Sequence, residues 1–267
     1  MIEITDADRI RTVRLNRPEA KNAMNEAMWD GATEAFLSAI DDPDVAVVIL
    51  TGTGDAFCAG QDVIEMAAQA TGGDFVRGEH GFQGLLQTMA SFPKPVIVAV
   101  NGMGLGFGAT VLGFADLAFM SATARLKCPF TSLGVAPEFA SSFTFPQLLG
   151  RQNASWALLS SEWLSAEECL DMGLVFKVTE PERLMEVTMD HARVLAAKPI
   201  SSLVESKATI IESTRDPITA AYRREAEAFK LLLGAPANVE SMMAFAEKRQ
   251  PDFTSIDDSA VNEIRGD

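Results

Sequence analysis

Two glycine-containing stretches and a shortage of histidine limit the chemistry open to this chain. Phe57-Cys58-Ala59-Gly60-Gln61-Asp62-Val63 follows one strand-like run, and Asn101-Gly102-Met103-Gly104-Leu105-Gly106-Phe107-Gly108 follows another. Glycines at alternate positions are poor filler for a helix or strand interior. They suit a loop whose backbone must approach a ligand closely. The second stretch leads into a helix expected from about Ala109, and the free N–H groups at its start favour negative charge. Proton transfer needs a titratable side chain as well. Only two histidines are present, His80 and His191, so a Ser/His/Asp relay or a histidine-rich metal site would have to draw on those two. Acid–base work therefore falls to a carboxylate. Gly104 to Ala109 also fits the GxGxxA nucleotide pattern. That pattern is weak alone, sits mid-chain, and lacks the acidic residue about 20 positions on that ribose binding wants.

These stretches must be held by the elements around them. Thr12 to Asn16 alternates like a strand. From Asn25 to Ile40, Met28, Ala32, Ala35, Phe36, Ala39 and Ile40 recur at helical spacing, with Asn25 as a plausible N-cap. Val45–Leu50, Pro95–Val100 and the shorter Leu117–Met120 are continuous apolar runs, the pattern of strands buried on both faces. Helices are expected over Gly81–Ala90 and Ala109–Phe114. Alternating β and α elements mean an α/β fold with largely parallel sheets. From Phe143 the pattern turns helical, over 151–160, 166–172, 183–197, 201–213, 218–232 and 239–247, with Pro199, Pro217 and Pro236 near helix starts. A short strand at Leu174–Val178 interrupts. The expected organisation is an α/β core over residues 1–195 and a helical region over 196–267.

Composition excludes other classes. The 267 residues are 48% hydrophobic, enough for a substantial core. No apolar run nears the ~20 residues of a membrane span, and the acidic N-terminus lacks the form of a signal peptide. A cytoplasmic location is the expectation. Cys58, Cys128 and Cys169 form no CxxC pair, which fits small buried residues better than a disulfide framework. The net charge of −15 opposes nucleic-acid binding. An anionic coenzyme would need a local basic patch, for which Lys21 and the Lys248-Arg249 pair are candidates.

FCAGQD, FPKPVIVAVNGMGLGFGATVLGFAD, GLVFKV and AFAEKRQPDF, with LNRPEAKNAMN at residues 15–25, closely resemble the crotonase (enoyl-CoA hydratase/isomerase) family in order and spacing. The resemblance implies a ββα spiral core with a helical C-terminal region and an acyl-CoA substrate. Coenzyme A would be part of that substrate, with no separate cofactor and no metal. It also implies a homotrimer or dimer of trimers whose C-terminal helices pack on a neighbouring subunit. By the same resemblance the backbone N–H groups of Gln61 and Phe107 bind the thioester oxygen and stabilise an enolate. Substrate contacts are expected from Lys21, Ala23, Ala59, Gly60, Gln61, Asp62, Val63, Gly106 and Phe107. Where hydratases of the family carry two glutamates, this chain has Thr110 and Phe130, neither of which can accept a proton from water. Glu138, in PFTSLGVAPEFASSFTFPQLLG, matches the single catalytic acid of the peroxisomal-type 3-enoyl-CoA to 2-enoyl-CoA isomerases. Val135, Pro137 and Phe139 beside it could tune its pKa by packing. Another reaction of the family (enoyl-CoA hydration, dienoyl-CoA isomerisation or dehalogenation) and a non-catalytic acyl-CoA-binding role are the alternatives. Other candidates have plainer readings. Asp62 is expected to cap a helix and Asp116 to satisfy backbone at a helix end. His80 either lines an acyl pocket or is structural, and Met103, Phe107 and Phe143 either shape an acyl tunnel or fill core.

Overall fold

The structure is a computed structural model and describes residues 1–71 and 75–257. An antiparallel hairpin, β1 (Ile2–Ala7) and β2 (Ile10–Leu15), leads into α1 (Glu26–Ile40), whose N-cap Asn25 accepts the Met28 N–H as expected. Next come β3 (Val47–Gly52), β4 (Ala56–Cys58), α2 (Val63–Thr71), α3 (Gly81–Ser91), β5 (Val96–Val100), β6 (Met103–Leu105) and α4 (Phe107–Thr110). They are followed by β7 (Leu117–Ser121), β8 (Arg125–Lys127), α5 (Ser141–Leu159), β9 (Leu164–Ser165), α6 (Ala166–Asp171), β10 (Lys177–Thr179) and α7 (Leu184–Ala196). The chain continues with α8 (Ile200–Ile211), α9 (Arg215–Leu232) and α10 (Pro236–Glu247).

The large sheet has the order β1-β2-β3-β5-β7-β10, parallel except at the β1–β2 edge. A second sheet runs β4-β6-β8-β9. Each central strand of the large sheet turns within a few residues into a strand of the small one and then into a helix. The result is a ββα unit repeated through β3-β4, β5-β6 and β7-β8, a crotonase-type α/β core. The apolar runs explain the large sheet. Side chains alternate between faces, so Val48, Leu50, Val98 and Val100 join the core under α1, while Val47, Ile49, Ile97 and Ala99 pack on the α7 side. A strand covered on both faces has no polar position to spare, which is why these runs read as continuous.

The small sheet departs from expectation. Met103-Gly104-Leu105 is strand, not loop, although Gly104 lies within it. A Cβ there would sit 2.6 Å from Leu126 Cδ2 and 2.7 Å from the Gly108 carbonyl, so the glycine serves close packing inside the sheet. Helix α4 starts at Phe107, ahead of Ala109. The C-terminal strand is shifted to Lys177–Thr179 because Leu174 and Val175 donate to the Cys169 carbonyl and close off α6. Helix α5 begins at Ser141, well before residue 151, and is broken at Gly150, which has φ 72° and ψ 162°.

Helices α8 to α10 are seated on their own chain's core. Lys207 on α8 donates to Asp116 Oδ2 (2.7 Å) and to the Lys94 carbonyl (2.9 Å). The same Asp116 oxygen accepts the Val96 N–H at the start of β5, so Asp116 satisfies a strand end and not a helix end. On α10, Asn238 donates to the Leu133 carbonyl and Ser241 to that of Ser132. Lys207 is 6% exposed, and removing its partner leaves a buried ammonium unpaired. Asp116→Ala should therefore destabilise the protein by about 3–5 kcal/mol, read as a lower urea midpoint at unchanged slope. Loss of under about 1 kcal/mol would mean the pair does not secure α8. Among the described residues no helix is long and apolar enough to cross a membrane.

Candidate active site

The sharp turns after β4 and β6 and the loop before α5 bring the candidate residues together. Residues Lys21 to Met24 run alongside the first turn: Ala59 N–H donates to the Lys21 carbonyl, Met24 N–H to that of Gly60, and Asp62 N–H to that of Met24. With Gly60 and Asp62 facing Met24, the Gln61 N–H points to the opposite side. Phe107 is the first residue of α4, where an N–H has no partner within its helix. No acceptor takes the Gln61 or Phe107 N–H among the backbone bonds of the described turns.

Glycine makes the approach possible. A Cβ at Gly60 would lie 2.9 Å from the Leu105 carbonyl. Gly106 has φ 51° and ψ −115°, a conformation effectively reserved for glycine, and it directs the Phe107 N–H. A Cβ at Gly106 would sit 3.7 Å from Glu138 Oε1, which puts that carboxyl beside the second turn. The two turns thus lie against each other, with the Glu138 carboxyl beside the second.

Glu138 keeps slight solvent contact, but its carboxyl lies deep. Burial, reinforced by the negative charge of Glu225, pushes its pKa up to about 8, against the Thr110 hydroxyl, which donates to Oε1 at 3.4 Å. Thr110 and Phe130 are themselves buried. Facing Glu138, the Cys58 thiol is pushed up to about 12 and the Cys128 thiol is raised too, both mainly by burial, so both stay neutral beside it.

The backbone after Glu138 is strained. Phe139 and Ala140 both take left-handed angles, φ 56° and φ 53°, which cost roughly 1–2 kcal/mol each for non-glycine residues. Ser141 folds back, its N–H and hydroxyl both donating to the Glu138 carbonyl. The pair is held from outside by Glu225 on α9, which accepts the Ala140 N–H at 2.7 Å and the Ser142 N–H at 2.8 Å. Sequence reasoning missed Glu225. A signal existed: Ile218, Ala221, Tyr222, Glu225 and Phe229 share one helical stripe, so a carboxylate stands where an apolar residue was due.

Other candidates settle into place. Asp62 caps α2 by accepting the Ile64 N–H and pairs with Arg17, a residue the sequence reading passed over. Burial would raise Asp62, but Arg17 and the N–H groups of Ile64 and Glu65 outweigh it and hold its pKa low. His80 is structural: its ring bonds Glu34 and its N–H goes to Asp30. Met103, Phe107 and Phe143 do not form one cluster. Phe107 stacks edge-on with Trp29 and Phe139, Phe143 packs near Ile218, and Met103 lines a polar cleft elsewhere. That cleft, about 470 Å³, also holds Lys21 and Arg125, but its walls include none of Glu138, Gln61 or Phe107. Ala23, Ala59 and Gln61 are partly accessible, and Lys21 and Val63 are exposed. Arg249 is bound to Glu240 and Glu247, so it offers no spare charge. Among the described residues, no group of three or more metal-ligating side chains occurs.

Comparison with known proteins follows the same outline. A family model described as enoyl-CoA hydratase/isomerase matches residues 5–256. The chain is 32% identical over 249 residues to a 1,2-epoxyphenylacetyl-CoA isomerase of Escherichia coli, covering 92% of this chain and 95% of the relative. It is 33% identical over 250 residues to a crotonyl-CoA hydratase of Syntrophomonas wolfei, covering 93% and 95%. The crystal structure of an enoyl-CoA hydratase from Mycobacterium marinum superposes with a TM-score of 0.76 at 59% identity, over 79% of this chain and 99% of that one.

Proposed function

The chain belongs to the enoyl-CoA hydratase/isomerase family, and from that premise we propose that it moves the double bond of 3-enoyl-CoA thioesters to the 2-position. The observation that carries this reading is the buried Glu138 carboxyl beside the Gly106 turn, with Thr110 and Phe130 at the two positions that hydration would need as acids. Glu225 is buried too, but both its oxygens are taken by backbone N–H groups.

In the proposed reaction the thioester oxygen accepts the N–H groups of Gln61 and Phe107. Ionised Glu138 removes a proton from C2. The electron pair of that C–H bond spreads over the thioester and the neighbouring double bond as a dienolate, whose oxygen charge the two donors stabilise. Glu138 then returns the proton to C4, and the double bond settles between C2 and C3. One acid–base group suffices, and no cofactor is needed beyond the coenzyme A of the substrate. Lys21, on the polar cleft, is the basic residue assigned to the coenzyme phosphates. The working assembly is proposed to be a trimer or dimer of trimers, with the exposed face of α10 that carries Phe245 available for a neighbour.

The test is a panel of 3-enoyl-CoA substrates followed by the conjugated enoyl absorbance that isomerisation creates. Only ionised Glu138 can act as base, so kcat/KM should climb with pH and level off above about 8. Crotonyl-CoA should keep its enoyl absorbance in the same buffer. Its hydration at ~10³ s⁻¹, the upper end of usual turnover, would contradict the reading, and so would a panel with no isomerised product.

A further inference from the structure

We propose that Glu225, on the C-terminal helix α9, is a positioning residue for Glu138: it clamps the left-handed Phe139–Ala140 turn that aims the Glu138 carboxyl at the Gly106 loop. This rests on the isomerase reading for the identity of the reaction, but not for the geometry.

The clamp is built from buried parts. Glu225 is 5% exposed and reaches α5 from a different helix. One oxygen accepts the Ala140 N–H and the other the Ser142 N–H, so both are committed. Glu138, Phe139 and Ala140 are consecutive, and the last two are strained at φ 56° and φ 53°. A strained turn persists only where its surroundings over-determine it. Here the constraint comes from Glu225 on one side and Ser141, donating to the Glu138 carbonyl, on the other. Without Glu225, two N–H groups in the first turn of α5 lose their acceptor and the Glu138 backbone is freed to relax.

The clamp also carries charge. The groups facing Glu138 are Thr110 from α4, Cys58 from β4, Cys128 after β8, and Glu225 from α9. With both thiols neutral, Glu225 is the charged group among the described residues that bears on Glu138. Burial raises Glu225's own pKa, while the Ser142 and Ala140 donors and Arg224 favour its ionised form.

The experiment compares Glu225→Gln with the parent in two ways. The first is ¹³C-carboxyl NMR titration of Glu138, assigned by its loss in Glu138→Gln, which needs no turnover. The second is the pH profile of isomerisation. Glu225→Gln loses the charge and one of the two acceptors. The Glu138 titration and the acid limb of kcat/KM should both move to lower pH, plateau kcat should fall about tenfold or more, and KM should stay within about threefold. Ala140→Gly tolerates the left-handed angle, so Glu225→Gln combined with Ala140→Gly should recover part of the lost rate, and it serves as the folded form if the single variant is unstable. In a Glu138→Gln background, Glu225→Gln should cost nothing further. An unmoved Glu138 titration, or a rate loss of the same size without Glu138, overturns the proposal and leaves Glu225 as a helix cap. If the parent isomerises no substrate, the functional reading fails, while the NMR titration still decides the role of Glu225.

Discussion

Glu138→Gln should lower isomerisation of a 3-enoyl-CoA by about 10²–10⁴-fold, the scale of losing a general base, while binding of a non-reactive acyl-CoA survives. The amide keeps the size of the side chain and can still accept from the Thr110 hydroxyl, so the pocket should hold its shape. Glu138→Asp should retain part of the rate. In deuterated water, a carboxyl that carries its own proton from C2 to C4 should leave solvent label at C4 incomplete, whereas exchange through water would label it fully. The same substitution should raise stability in a defined pH range. The folded pKa of Glu138, about 8, lies above its ordinary value of 4.5. Below that ordinary value both states hold the proton. As pH rises towards 8 the unfolded chain releases a proton that the folded chain keeps, so the parent loses stability across this window. Glutamine does not titrate, and the variant's advantage should reach on the order of 2–4 kcal/mol above pH 8. Parent and variant melting together at pH 9 would show that the carboxyl is not held in an apolar site. Full activity in the variant would move the base elsewhere, with Glu79 and Asp62 next to test.

The second large effect is expected at a residue with no side chain. Gly106→Ala should cost about 10²–10³-fold in kcat, the usual loss when one oxyanion donor is misplaced. Alanine cannot comfortably hold φ 51° with ψ −115°, and the next N–H along the chain is the Phe107 donor. Relaxing Gly106 turns that donor away. The matched control is Gly150→Ala. Gly150 also has positive φ, but nothing lies within 4 Å of an added Cβ there. The control should lose stability without losing turnover. Equal losses in both variants would mean that Gly106 matters for folding alone.

What the sequence made legible follows from length and burial. β3, β5 and β7 lie inside the large sheet and show as apolar runs, because burial on both faces leaves no alternation to interpret. The three-residue strands β4, β6 and β8 are too short for any period to emerge, and Gly104 argues locally against strand. Leu174 and Val175 are apolar because they pack, not because they pair in the sheet, so their composition pointed to the wrong residues. The glycine turns were readable as places of close approach, since only a backbone constraint explains glycine at such spacing. Glu138 was not readable from spacing. One glutamate among 37 acidic residues carries no mark, and only the resemblance of its surroundings singled it out. Glu225 and Arg17 were hidden for a related reason: each acts on a group remote in sequence, and only the fold brings them together. The polar residue on the apolar stripe of α9 was the one local sign.

The bond from Glu225 to Ala140 spans 85 residues, and that distance has a consequence for biosynthesis. Contacts of such long range form late, after the entropy of closing a large loop has been met. Synthesis runs from the N-terminus at about 5–20 residues per second. A nascent chain that has already emerged through α5 still has to wait several seconds at least for α9. During that interval the strands and both glycine turns are present, but the segment after Glu138 lacks its outside tether. A ribosome-stalled or prematurely terminated product ending before α9 would lack the acceptor that holds the segment after Glu138.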